Sequence, residues 1–155
     1  MRGTVRIGVI SDTHGLLRPQ AADALRGVDG IVHAGDIGSA DILPALERIA
    51  PVAAIRGNND RAGWAALIPD QRVVEYAGKT LYLLHDRNEL RLHPPPEVCD
   101  VIITGHSHRP AVERRDGVLY LNPGSAGPRR FKLPVTVAVL SIGATLDAQI
   151  LELPV

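Results

Sequence analysis

The sequence predicts an α/β domain made of two packed β-sheets with helices outside them. Three observations lead there. Apolar runs and helical segments alternate in β-α-β-α-β order through the first part of the chain, the pattern of a parallel sheet. Later strand-like runs follow one another as hairpins, which adds antiparallel pairs. The chain has 155 residues, 45% hydrophobic but only 3% aromatic, enough for one domain (1–155) around a sizeable aliphatic core.

Each element has its local reason. Val5–Ile10 is an apolar run that stops at Ser11-Asp12-Thr13-His14-Gly15. Pro19 suits the first turn of a helix, and Gly27 its end. Gly30–His33 is a second short strand, closed by Ala34-Gly35-Asp36. A helix is expected from about Ile42 to Ala50, with Asp41 as its N-cap and Pro44 in the first turn, where a missing N–H is harmless. Val52–Ile55 is the third strand, closed by Gly57-Asn58-Asn59-Asp60. Asp60 is expected to cap a short helix within Asp60–Ile68, anchored by Trp64. Val73–Tyr76 and Thr80–Leu84 read as a hairpin around Ala77-Gly78, ending at His85. After Pro94–Pro96, Val101–Thr104 is a strand that ends in Gly105-His106-Ser107-His108. Val112–Arg115 with Val118–Leu121, and Val135–Leu140 with Thr145–Leu151, complete a strand-rich, mostly antiparallel second half.

Composition excludes several functions. Seventeen Lys and Arg balance seventeen Asp and Glu, so the basic excess of a dedicated nucleic-acid or anionic-membrane binder is missing. The single cysteine, Cys99, rules out an internal disulfide and a multi-cysteine zinc site, and suits a reducing compartment. No run approaches the roughly 18 apolar residues of a membrane span. The apolar stretch in MRGTVRIGVISD is too short for a signal peptide. A cytoplasmic protein is therefore expected, and a homo-oligomer is compatible with the sequence. No Gly-x-Gly-x-x-Gly or Walker pattern is present.

The chemistry is expected where the strands end. Five strands finish in polar clusters: Asp12 and His14, Asp36, Asn58, His85, and His106 with His108. Ligands of open α/β sheets sit at that edge. Two carboxylates, one amide and four imidazoles are a ligand mix for Mn, Fe, Co, Ni or Zn. Asp12 with His14, and His106 with His108, are two residues apart, and on an extended strand end such pairs project to one side.

The motifs DTHG, GDI, GNND, the strand ending at His85, and GHSH resemble the successive signatures of calcineurin-like metallophosphoesterases. NPGSAGPRR (Asn122–Arg130) resembles a loop of the small bacterial and archaeal phosphodiesterase branch, and the likeness runs from about Val5 to Leu151. The resemblance implies a four-layer αββα sandwich with two mixed β-sheets. It also implies two divalent ions, with Mn²⁺ the expected metal and Ni²⁺, Fe, Co²⁺ or Zn²⁺ the alternatives. Asp12, His14 and His108 would hold the first ion. Asn58, His85 and His106 would hold the second, and Asp36 would bridge them. The implied reaction is hydrolysis of small phosphodiesters by a hydroxide activated between the ions. Phosphomonoesterase or nuclease chemistry at the same centre is the alternative. So is a non-catalytic scaffold, as in a related retromer subunit, although intact ligands speak against that.

Two positions depart from the pattern. Asn59 stands where many relatives have a histidine; an amide can donate to a phosphate oxygen but cannot act as a general acid. Asp86 follows His85 where glycine is common, and either serves the second metal's surroundings or faces solvent. Among the arginines of these loops, Arg129 is the expected phosphate contact, because the family loop carries an arginine there. His33 is expected to be packed and hydrogen-bonded, His93 to sit on a surface loop, and Cys99 to be a small core residue.

Overall fold

The computed structural model describes residues 3–155. Two five-stranded sheets pack face to face. The first contains β1 (Val5–Ile10), β2 (Gly30–His33), β3 (Val52–Ala54), β9 (Thr136–Ile142) and β10 (Leu146–Glu152), in the order β10-β9-β1-β2-β3. The second contains β4 (Gln71–Tyr76), β5 (Lys79–Leu84), β6 (Val101–Ile103), β7 (Ala111–Arg115) and β8 (Val118–Asn122), in the order β4-β5-β6-β8-β7. Both are mixed. β1, β2 and β3 run parallel, and β9 and β10 are antiparallel additions. In the second sheet β6 runs parallel to both β5 and β8, and β4 and β7 return as hairpin partners. The second half of the chain thus mixes its hairpins with two parallel pairs around β6.

The residues explain the layers. Ile7, Val9 and Val32 of the first sheet meet Leu81, Leu83, Ile103 and Leu121 of the second in a fully aliphatic interior. Burying each such side chain is worth about 1.5–3 kcal/mol, so aromatics are not needed to hold the sheets together. The first sheet's outer face is covered by α1 (Pro19–Ala24) and α2 (Ile42–Glu47), through Ala21, Leu25, Ile42 and Leu46. The second sheet's outer layer is thinner. Tyr82, Leu84 and Ile102 pack there with Leu90 and Cys99, beside a 3₁₀ turn at Arg87–Glu89. Two hairpins close through Ala77-Gly78 and Asp116-Gly117, where all four residues have positive φ, the twist that matches paired strands.

Pro19 opens α1 as expected. Several local expectations are corrected. α2 ends at Glu47, and Ile49 and Ala50 follow it as a turn on the Leu46 carbonyl. Asp41 does not cap α2: its backbone is already helical and its carboxylate accepts from the Ser39 hydroxyl instead. The expected helix after Asp60 is a 3₁₀ turn, Gly63–Ala65, with Ala62 rather than Asp60 before it. Trp64 is half-buried against the first sheet's outer cluster. Among the described residues, no helix is long and apolar enough to cross a membrane.

Candidate metal centre

β1, β2, β5 and β6 release their C-terminal ends at one edge of the sandwich, and six donor-bearing side chains gather there in two groups. Asp12, His14 and His108 form one group; Asp36, His85 and His106 form a second. Within each group the donor atoms lie within 4.8 Å of one another. Asp36 stands between them, its Oδ2 3.2 Å from His85 Nε2 and 3.7 Å from His14 Nε2. Asp12 Oδ1 lies 3.5 Å from His108 Nε2, 3.7 Å from His14 Nε2 and 3.8 Å from His85 Nε2.

Four of these atoms test whether the site suits a metal. Asp12 Oδ1, His14 Nε2, His85 Nε2 and His108 Nδ1 are buried and have no hydrogen-bond partner. A buried polar group left unpaired costs about 1–3 kcal/mol. Several beside one another, with mixed carboxylate and imidazole chemistry, fit divalent transition-metal ions.

The backbone brings the donors together by an unexpected route. Asp12 (φ 57°), His14 (46°), Asp36 (55°), His106 (68°) and His108 (63°) all lie in the left-handed region. Convergence within Asp12-Thr13-His14 and His106-Ser107-His108 is therefore not the alternation of an extended strand end. Left-handed non-glycine residues cost about 1–3 kcal/mol each and persist only where their surroundings force them. Thr13, between two such residues, is fully buried: its hydroxyl donates to the Ile37 carbonyl at 2.7 Å and accepts from His33 Nε2 at 3.0 Å.

A supporting layer fixes the donors. Asp12 Oδ2 accepts from the Ser11 hydroxyl at 2.7 Å and from the His106 amide at 3.1 Å. His85 Nδ1 donates to the Ala34 carbonyl at 2.7 Å, which leaves Nε2 facing Asp36. Asp60 is the residue sequence reasoning misread: it is buried, and its carboxylate accepts from the amides of Ile37, Gly38 and Gly57, tying the second and third loops together. Asn122 and Ser125 of the NPGS loop, which belong to neither donor group, brace the site from behind. Asn122 donates to the Gly105 carbonyl and Ser107 Oγ, and Ser125 donates to the Asp12 carbonyl. At Gly57 and Gly105 an added Cβ would lie 2.0 Å from Asp36 Oδ1 and 2.1 Å from Ser11 Oγ, so glycine is needed for close approach.

The electrostatics follow. Burial penalises the Asp36 charge, but His85, the Asn59 amide and His14 more than offset this and hold its carboxyl at about 2. Burial also opposes charge on Asp12, yet His14, His85 and Ser11 lower its pKa. Burial disfavours charged His85, but Asp36 and Asp12 raise it to about 9. Asp12 raises His14 as well, whereas burial lowers His108. A cation that binds here must displace protons from His85 and His14, so its affinity weakens as pH drops.

The remaining expected residues are placed as follows. Asn58 is exposed at the rim, beside His85 and His106 in a cleft of about 610 Å³. Asn59 does not reach outward as a phosphate donor: its backbone amide and its Nδ2 both donate to Asp36, at 3.0 and 3.2 Å. Arg129 is exposed and turned to the carbonyls of Leu133 and Val155, both 3.4 Å away. Its neighbour Arg130 is the arginine whose charge bears on His14 and His108. Asp86 is half-buried rather than solvent-facing, and its two carboxylate oxygens have different neighbours. Oδ1 caps the 3₁₀ turn through Asn88, and Oδ2 lies 3.7 Å from His106 Nε2. His33 is fully buried and hydrogen-bonded, His93 is exposed, and Cys99 is half-buried, with burial pushing its thiol pKa up.

A two-sheet sandwich with two carboxylate–imidazole groups at its strand ends has the form of a metallophosphoesterase. Residues 5–145 match the calcineurin-like phosphoesterase superfamily domain, and the chain belongs to that family. A "Probable metallophosphoesterase" of Methanothermobacter thermautotrophicus is 38% identical, over 94% of this chain and 91% of that protein. A phosphodiesterase of Methanocaldococcus jannaschii is 29% identical, over 77% of this chain and 83% of that one. The solved structure of an archaeal phosphodiesterase superposes with a TM-score of 0.76 at 26% identity, covering 95% of this chain and 100% of that one. Vacuolar Protein Sorting 29 of Cryptosporidium parvum shares the fold, with a TM-score of 0.77 at 19% identity and coverage of 96% and 97%.

Proposed function

We propose that this protein is a metal-dependent phosphodiesterase that hydrolyses small phosphodiesters in the cytoplasm. The observation that carries the reading is the set of unpartnered buried donors, split into two groups with Asp36 between them. In this reading Asp12, His14 and His108 would hold one divalent ion, and Asn58, His85 and His106 would hold the other. Asp36, between the two groups, would be shared by both ions, and its charge would offset the repulsion between them. When bound, the ions polarise the phosphoryl oxygens and acidify a water.

The chain's own groups do the rest. His85 presents Nε2 because Ala34 holds Nδ1. Asn59 fixes the plane of the Asp36 carboxylate through its two donors. Asn59 has no acidic proton to give, so an ester whose departing oxygen is a stable anion is favoured over an alkyl ester. A general acid would supply typically 10²–10⁴-fold. Arg130, rather than Arg129, is the phosphate contact this reading prefers. The balanced charge counts against a nuclease, which needs a basic track along the phosphate backbone. The likeness to Vacuolar Protein Sorting 29 concerns the fold alone.

The test is metal dependence. Protein stripped of metal is expected to hydrolyse bis(p-nitrophenyl) phosphate at the background rate, and added Mn²⁺ or Ni²⁺ to restore turnover. Full activity in excess chelator, with metal removal verified by elemental analysis, would overturn the proposal.

A further inference from the structure

Two clefts open on the second donor group. The larger, about 610 Å³, is lined by Arg56, Arg61, Asp70, Gln71, Glu89 and His93 and reaches His85. The smaller, about 260 Å³, is lined by Arg87, Asn88, Arg109, Ala111 and Tyr120. His106 and Asp86 line both, so the clefts meet at one wall. A phosphomonoester has one organic arm and needs one cleft. A phosphodiester has two arms that diverge from phosphorus, and two clefts diverging from one metal-side wall match that shape.

The clefts differ in size and chemistry. Pockets that take whole small molecules span about 300–1,000 Å³; the larger cleft falls inside that range and the smaller just below it. In the larger cleft Arg56 is committed to Asp70 through bonds of 3.1 and 3.2 Å. Arg61 spends its Nε on the Asn58 carbonyl at 3.0 Å and, among the described residues, has no carboxylate partner. With Gln71 and Glu89 nearby, this wall offers donors and acceptors but few apolar atoms, which suits an arm rich in hydroxyls and ring nitrogens. In the smaller cleft the Arg87 guanidinium pairs with Glu113 at 3.0 Å and lies 4.6 Å from the centre of the Tyr120 ring. That stack is a flat wall for a compact group, and Arg109 beside it has no carboxylate partner among the described residues.

We infer that the site takes unequal phosphodiesters, seating a nucleoside-sized polar arm in the Arg61 cleft and a small alkyl or single-ring arm in the Arg109 cleft. The inference rests on the phosphodiesterase reading for its chemistry, but the seating is measurable without turnover. The probes are the methyl and phenyl diesters of thymidine 5′-phosphate, titrated calorimetrically into zinc-loaded protein. Gln71→Trp, which fills the larger cleft, should weaken both by about tenfold or more, since a tenfold change in Kd is only 1.4 kcal/mol. Ala111→Trp, which fills the smaller one, should weaken the phenyl diester to the same degree and leave the methyl diester within about twofold. Arg61→Ala and Arg109→Ala are the paired alternatives if either tryptophan lowers Tm or metal content. Equal affinities across all proteins, or the reverse pattern, would overturn the seating. If the binding pattern holds and the nitrophenyl diester of thymidine 5′-phosphate is not turned over, the phosphodiesterase reading fails and the seating stands. Turnover without the pattern means the opposite.

Discussion

At the residue scale, Asp36 is the carboxylate to which the proposed function gives the bridging role. It is the carboxylate within 3.7 Å of His14 on one side and 3.2 Å of His85 on the other, and its pKa of about 2 keeps it ionised throughout the physiological range. Asp36→Ala is therefore expected to lower bound metal from two ions per chain to one or none. His85→Ala should spare the Asp12–His14–His108 group and leave one. Elemental analysis after dialysis distinguishes them, and equal metal content in wild type and Asp36→Ala would contradict the bridging role. The identities of these donors were legible in the sequence, because each follows an apolar run and the runs predict strand ends. Their geometry was not. Positive φ at Asp12, His14, Asp36, His106 and His108 is imposed by contacts with residues distant in sequence. Examples are the Asp12 amide on the Gly35 carbonyl and the His14 amide on the Asp36 carbonyl.

At the scale of elements, the loops matter more than the helices. The loop after β3 carries Gly57, whose missing side chain makes room for Asp36: a Cβ there would lie 2.0 Å from Oδ1 and 2.3 Å from the Asp36 amide nitrogen. A backbone atom cannot swing aside as a side-chain tip can. Gly57→Ala should thus cost about 1–3 kcal/mol, the usual range for overpacking. That is about 2–4 °C in Tm per kcal/mol for a chain of this size. It should also weaken metal binding in the Asp36 group. Gly63→Ala is the control, since nothing lies within 4 Å of its added Cβ. Scanning calorimetry of both variants, metal-free, decides the matter; equal Tm values would show that the loop yields freely. Asp60 shows why such loops resist reading from sequence. An aspartate just before a helical segment looks like its cap, and only the folded chain reveals that its acceptors serve the amides of Ile37 and Gly38 in the preceding loop. The sheets themselves were readable because short apolar runs and turn residues act locally. The length of α2 was not, since its last turn depends on packing rather than propensity.

At the scale of the whole molecule, the first sheet carries a fully buried titratable group at the end of β2, and this ties global stability to pH. His33 ends β2 with no exposure, in a closed set of bonds. Nδ1 accepts from the Gly35 amide at 3.1 Å, so Nε2 carries the proton and donates to Thr13 Oγ1, which donates in turn to the Ile37 carbonyl. A second ring proton would have no acceptor and would cost the Gly35 bond. Burial, against weaker opposition from Asp12 and Asp60, depresses His33 from 6.5 to about 4. The unfolded chain, with an ordinary imidazole, binds a proton between those values that the folded chain refuses. Stability from this group is therefore complete above pH 6.5 and is lost as pH falls toward 4. The loss amounts to about 3 kcal/mol at 1.36 kcal/mol per pKa unit. The measurement is urea unfolding of metal-stripped wild type and His33→Asn from pH 7.5 to 4. Asparagine retains an acceptor for Gly35 but does not titrate. Subtracting one curve from the other removes the shared contributions of Asp12, Asp36 and His85. The stability difference is expected to be constant above pH 6.5 and to shrink steadily below it. A difference that stays flat down to pH 4 would mean that His33 is protonated in the folded sheet, and that the tautomer fixed by Gly35 and Thr13 is not the one the protein uses.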